Sequence, residues 1–274
     1  MKLKVGLFDK RIVRAFLTVI GIISSIISIV CIFITIPNNL KIYSAVLLIV
    51  LFISIYIGMF INANLKKSVK MKINNTRLEI VYGDLFKISG LKVIGFNEYF
   101  DTIVDNVIIS EKSLHGKFIK QNIIDLGEFD KIIENSLADK ESRFNESRPI
   151  GKKKRYKLGT LFEYKNEFIF TSFAKFDDRN RACLTLEEYI EFLITFWNEI
   201  DVINNGRDVN IPLMGSGITR FNSLVTKQEL LELILFTFKY SGIKLCYDCK
   251  IRIILHKGVA DEINLYNIKG VFGK

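Results

Sequence analysis

Two stretches without a single charged side chain dominate the first quarter of the chain: Ala15 to Ile36, 22 residues, and Ile42 to Ile61, 20 residues. A helix rises about 1.5 Å per residue and needs about 20 residues to cross about 30 Å of hydrocarbon, so each run reads as a spanning helix. The interruption Pro37-Asn38-Asn39-Leu40-Lys41 is too short for a domain and rich in turn formers, which predicts a tight helical hairpin. A hairpin buried in a water-soluble core fits poorly, because neither run has a polar face. A cleaved leader fits poorly too: the first run is long for one, and a second run follows at once.

The charge distribution agrees. Residues 1 to 72 hold ten basic side chains against one acid, Asp9, a balance of +9, whereas the remaining 29 basic and 28 acidic residues nearly cancel. The overall +10 is therefore local to the apolar runs and leaves the rest without the broad positive field that a nucleic-acid backbone requires. Basic residues flank the outer ends of both runs while the connecting turn offers only Lys41, so both termini are expected in the cytoplasm, with the chain as a multi-pass protein of the cell inner membrane. No charge lies within either run, which argues against an ion-transport site. Ser24, Ser25, Ser28, Thr35, Ser44 and Ser54, with Gly21 and Gly58, suit an anchor or a hairpin that assembles with its own copies.

Of the four cysteines only Cys246-Tyr247-Asp248-Cys249 are closely spaced. One such pair without neighbouring histidines reads as ordinary thiols, so no metal is expected. From about residue 73 the pattern is mixed. Arg77 to Tyr82, Lys92 to Phe96, Glu167 to Phe173, Asp208 to Leu213 and Lys250 to Leu255 are short runs rich in Ile, Val and Phe, bounded by Gly, Asp or Asn, and read as strands. Leu186, Tyr189, Ile190, Leu193, Ile194, Trp197 and Ile200 form a helical stripe that starts at a capping box, Thr185 to Glu188. Thr226 to Glu229 repeats the box before Leu230 to Phe238, with Gly242 closing that helix. Asp139 to Arg155 is polar and reads as a loop or insertion, with Lys152 to Arg155 solvated. The expected architecture is thus an N-terminal transmembrane helical hairpin, residues 1–72, followed by a cytosolic α/β domain, residues 73–274, with a mixed sheet flanked by helices.

Three loops carry the functional reading. Gly83-Asp84-Leu85-Phe86 follows a strand, and an aspartate there can accept from an exocyclic amine. The second loop runs from Asn97 through Phe100-Asp101-Thr102 to Ser113-Leu114-His115-Gly116, before an amphipathic stretch from Phe118 to Ile124 whose start would offer unpaired amides to an anion. The third, Met214-Gly215-Ser216-Gly217-Ile218, lets the backbone approach a diphosphate closely. Each also has an ordinary reading as a turn. His115 either meets the ligand or sits idle at a helix start. Arg220 pairs with phosphate or with a surface acid, and His256 and Trp197 read as structural.

In this order the loops resemble a macro domain over about Asn75 to Leu265. Together with the two N-terminal runs, Phe-Asp-Thr, Ser-Leu-His-Gly and Pro-Leu-Met-Gly-Ser-Gly-Ile resemble the membrane-anchored macro-domain effectors of Thoeris anti-phage defence. The resemblance implies that the domain binds an ADP-ribose derivative made from NAD by a partner TIR-domain enzyme, with histidine-linked ADP-ribose expected. Binding would lead to homo-oligomerisation and damage to the membrane. It implies that Asp84 reads the adenine amine beside Leu85, that Asn97 faces the distal ribose, that residues 113–116 and 215–218 hold the phosphates, and that Phe221 lines the ribose. Enzymatic macro domains carry an Asn-Ala-Ala-Asn sequence and a Gly-Gly-Gly-Val loop, and this chain has neither. A receptor without catalytic residues or cofactor is expected, and a membrane-tethered ADP-ribosyl hydrolase using Asn97 and Asp101 is the alternative.

Overall fold

The computed structural model describes residues 3–177, 179–221, 224–245 and 249–273. It divides into two units, the first running to Val69 and completed by Asn264–Phe272, the second spanning Lys70–Ile263. In the first unit α1 (Lys10–Phe33) starts where the Asp9 carboxylate accepts from the Arg11 amide, and α2 (Asn38–Asn64) starts directly after Pro37. Both extend beyond the uncharged runs at their basic outer ends, and with α1 ending at Phe33 and α2 starting at Asn38 the connection is residues 34–37. Both are long and apolar enough to cross a membrane, and side chains such as Ile32, Phe33, Ile42 and Leu47 stay exposed along them. So much bare apolar surface is stable in hydrocarbon and costly in water.

At the base of the hairpin Val5, Ile12 and Ala63 are buried, with Tyr56, Phe60 and Tyr266 packed against them. The Asn64 side-chain oxygen accepts from the amides of Lys4 and Val5 at 2.8 and 3.0 Å. Arg11 donates to Asn267 Oδ1 at 3.0 Å and lies 5.0 Å from the Tyr266 ring. The C-terminal helix Leu265–Phe272 therefore joins the hairpin base, although its sequence position suggested the second domain.

The second unit is built on a sheet. A two-residue turn at Asn74-Asn75, both at positive φ, links β1 (Ser68–Ile73) to β2 (Thr76–Tyr82). The chain then forms β3 (Leu91–Asn97), α3 (Leu114–Asn122) and α4 (Leu126–Ser136). Residues 139–155, expected as loop, contain β4 (Ser142–Phe144) and pair it antiparallel with β5 (Lys154–Tyr156). Its lysines are not all solvated: Lys152 pairs with Asp130 at 2.5 Å and donates to the Phe100 carbonyl. There follow β6 (Leu161–Tyr164), β7 (Phe168–Phe176), β8 (Ala182–Leu184) and α5 (Leu186–Ile203). The last elements are β9 (Val209–Pro212), β10 (Arg220–Phe221), α6 (Lys227–Ser241) and β11 (Lys250–Leu255).

The sheet order is β1-β2-β11-β9-β3-β7-β8-β10, with β6 on β7. β11 is parallel to both β2 and β9, and β3 is parallel to β9 and β7. Both expected capping boxes are present, at Thr185 and Thr226, and Gly242 ends α6 in the left-handed conformation. The buried face of α5 is Tyr189, Phe192, Leu193, Phe196, Trp197 and Ile200; Ile194, read as core, is exposed because Phe192 and Phe196 take the inner positions. Trp197 is core, its Nε1 donating to Thr237 at 3.1 Å. On the opposite side a phenylalanine-rich core gathers around Phe170, whose ring meets those of Phe96, Phe118, Phe129, Phe162, Tyr164 and Phe168.

Removing Phe170 would leave a cavity that this interlocked cluster cannot collapse to fill. Phe170→Ala is expected to lower unfolding free energy by about 4 kcal/mol in denaturant titrations of the detergent-solubilised chain.

Candidate functional site

Parallel strands put their carboxyl ends at one edge of a sheet, and segments leaving that edge form the usual ligand crevice of such folds. Here the segments after β2, β3, β9 and β11, joined by the connection from β7 to β8, surround an open cleft of about 1540 Å³. Asp84, Leu85, Asn97, Ser113, Leu114, His115 and residues 214–218 all line it. Three sequence loops far apart in the chain are thereby brought together.

The wall from α3 is set by Ser113. As N-cap its hydroxyl accepts from the Gly116 amide at 2.9 Å and donates to the Ser110 carbonyl at 2.7 Å. Gly116 itself packs against that carbonyl, where any Cβ would collide, so it shapes the wall without lining the cleft. Among the described residues the amides of Leu114 and His115 have no acceptor, as expected in a first helical turn. The facing wall is the glycine-rich turn. Gly215 sits at φ +81°, and the Ser216 amide and hydroxyl both donate to the Leu213 carbonyl, at 3.2 and 2.6 Å. The amides of Gly215, Gly217 and Ile218 are unpaired among the described residues. Asp84 caps a short 3-10 turn, one carboxylate oxygen accepting from the Phe86 amide at 3.1 Å.

His115 is the most informative side chain. It is 6% exposed, its ring lies 3.6 Å from that of Phe96, and its Nε2 is buried without a partner among the described residues. Burial pushes its pKa down from the ordinary 6.5 to about 3, opposed by a hydrogen bond to the Asp101 backbone, so the ring is neutral near pH 7. An orphaned buried nitrogen is costly unless a ligand completes it.

Phe100, Asp101 and Thr102 do not line the cleft. Phe100, at φ +49°, turns its ring into the core against Tyr156 and Phe162. Asp101, 2% exposed, accepts from both terminal nitrogens of Arg148 at 3.2 and 2.7 Å, from the Lys152 amide and from Asn97 Nδ2. Thr102 donates to Asp130. Asn97 reaches the cleft, but its oxygen already accepts from the amides of Tyr99 and Asp101. Phe221 lies behind Gly215.

Of the cationic rim, sequence reading singled out only Arg220. Lys87, Lys112, Lys117, Arg179, Arg220 and Lys257 line the cleft against the single acid Asp84 among the described residues, while Arg181 is held by Asp177. His256, read as structural, also lines it, its Nδ1 accepting from the Gly258 amide. Spread from Lys87 to Lys257, these residues make no local run that would have flagged them. Cys249 is buried, while Cys246, Tyr247 and Asp248 lie outside the described residues, and no metal-binding cluster occurs among those described.

A curled mixed sheet with helices on its faces and a cleft at its carboxyl edge defines a macro domain. The sequence model of the family "Thoeris protein ThsA, Macro domain" matches residues 78–256. The chain is 36% identical over 274 residues to the Thoeris protein ThsA of Bacillus amyloliquefaciens (strain Y2), covering 98% of this chain and 92% of that one. This chain belongs to the Thoeris ThsA family. Among solved structures, the Oceanobacillus iheyensis macrodomain with MES bound aligns with a TM-score of 0.48 and 15% identity over 74% of this chain and 96% of its own. The same macrodomain with ADP aligns with a TM-score of 0.45 and 15% identity, with the same coverage.

The depressed His115 pKa has a stability consequence. Between about pH 6.5 and 3 the unfolded chain takes up a proton that the folded chain refuses, so His115 makes stability fall as pH drops through that window. His115→Gln removes this dependence. Unfolding midpoints from pH 7 to 4 should decline less steeply in the variant, by about 1 kcal/mol per pH unit.

Proposed function

We propose that the chain is a receptor and effector of Thoeris defence: its macro domain binds an ADP-ribose derivative, its copies assemble, and the apolar hairpin disrupts the cell inner membrane. The observation that carries this reading is the pairing of two sets of unsatisfied main-chain donors on opposite walls of one cleft, beside the buried Nε2 of His115. Backbone donors suit a diphosphate without a metal, and the cationic rim favours an anionic ligand. Asp84 offers its remaining carboxylate oxygen to an adenine amine. With its N–H given to the Asp101 backbone, a neutral His115 leaves Nε2 as an acceptor, which suits an uncharged donor of the ligand better than a phosphate. The cleft exceeds the usual range for small-ligand sites, about 300 to 1,000 Å³, and has room for a substituent such as histidine on the distal ribose. A TIR-domain enzyme is the proposed source of that ligand.

Asp101 favours a receptor over a hydrolase. A general base must reach a water beside the substrate, and this carboxylate is buried with Arg148, Lys152 and Asn97 on its oxygens. The two helices favour the membrane step by their length and exposed apolar surface. A ligand drives assembly only through its differential affinity for the assembled state, and a shift from about 1:99 to 99:1 requires about 5.5 kcal/mol.

Binding and leakage test the reading together. Purified chain in liposomes is expected to retain histidine-linked ADP-ribose without turnover and to release trapped dye. Asp84→Ala and Gly215→Val should each weaken binding at least about tenfold, since the valine strains a positive φ and meets Phe221. Turnover of the ligand would favour the hydrolase; binding without leakage would remove the membrane step.

A further inference from the structure

The glycine-rich turn is gripped from behind by a side chain that no sequence motif marks. Tyr189 lies on the buried face of α5, 0% exposed, and its hydroxyl donates to the Met214 carbonyl at 3.0 Å. Across a planar trans peptide the carbonyl of one residue and the N–H of the next point to opposite sides. A Met214 carbonyl held toward the core by Tyr189 thus turns the Gly215 N–H away from the core, on the side where Gly215 lines the cleft. That amide has no acceptor among the described residues.

Two further contacts fix the same peptide. The Phe221 ring stands edge-on to Tyr189, 5.6 Å between centroids at 88°, and covers the position where a Cβ on Gly215 would sit, 2.8 Å away. Ser216 closes the turn onto the Leu213 carbonyl through both its amide and its hydroxyl. Gly217, two residues on, has nothing near its Cβ position. The firm part of the turn is therefore the part that Tyr189 and Phe221 hold, and burial keeps the phenol protonated, and so a donor, by pushing its pKa up.

We propose that Tyr189 is a positioning residue that presets the Gly215 amide as a donor to the phosphate portion of the ligand. The proposal rests on the nucleotide reading above and adds to it the group that determines affinity for phosphate. A preset donor binds without first reorganising the turn, whereas a loosened one must be ordered at the expense of affinity. A hydroxyl that merely satisfied a buried carbonyl would affect stability and leave ligand selectivity alone.

The test uses the full-length chain in detergent, titrated calorimetrically with ADP and with adenosine, in wild type and Tyr189→Phe. The phenylalanine keeps the ring packing against Phe173, Phe192 and Phe221 and deletes one oxygen. ADP affinity is expected to fall about tenfold while adenosine affinity stays within about twofold. Hydrogen exchange of peptides covering residues 213–219 should accelerate in the unliganded variant. Phe221→Leu, which thins the cover over Gly215 without touching the hydroxyl, should show the same selective loss and keeps the test open if Tyr189→Phe fails to fold. Unchanged ADP affinity in the variants, or equal losses for ADP and adenosine, would overturn the positioning role alone. A wild-type chain that binds neither ADP nor ADP-ribose would overturn the nucleotide reading as well.

Discussion

The parallel ladder that β11 forms with β2 on one side and β9 on the other decides where the chemistry of the second unit can lie. Leu255 is level with Tyr82, and Ile254 with Pro212, so three chain segments that are distant in sequence leave the sheet at the same height. Asp84, the glycine-rich turn and His256 are neighbours for that reason alone. β3 extends the row through its pairing with β9 and β7, and brings Asn97 and the approach to α3 to the same edge. Had any of these strands run antiparallel, its loop would open on the far side and the cleft would lack a wall.

Within the cleft, polar groups divide into those already satisfied and those left open. Asn97, which reaches the cleft, and Asp101, which does not line it, spend their hydrogen-bonding capacity on each other, on Arg148 and on nearby amides. The amides of Leu114, His115, Gly215, Gly217 and Ile218 and Nε2 of His115 keep unused capacity among the described residues. Buried polar atoms that stay unpaired raise the free energy of the empty protein, and a ligand that completes them gains by the difference. On the proposed reading, recognition depends on backbone direction more than on charged side chains, which is why the turn geometry matters so much.

Much of this was legible in the sequence where local rules operate. The uncharged runs, the two capping boxes, the Gly242 stop and the strand Lys250 to Leu255 are short-range patterns, and the structure contains each of them. The inner face of α5 was displaced because Phe192 and Phe196 lie beside the chosen stripe, and a helix with apolar residues around most of its girdle does not declare which of them face inward. Asp101 looked like a ligand group because a carboxylate next to a ribose-type loop is chemically sensible. Only the fold reveals that Arg148, 47 positions away inside a segment read as plain loop, claims it. The cationic rim was hidden for the same reason, since no residue in it neighbours another in sequence.

The return of the C-terminal helix to the hairpin base has a temporal consequence. Arg11 and its acceptor Asn267 are 256 positions apart, so during synthesis the guanidinium waits for its partner until those intervening residues have been added. At about 5–20 residues per second that delay is on the order of tens of seconds. The apolar hairpin thus enters its environment with an unfinished foot, which is completed only once the last turn of helix has been made. A nascent chain that stalls before Asn267 would present the hairpin without this clasp.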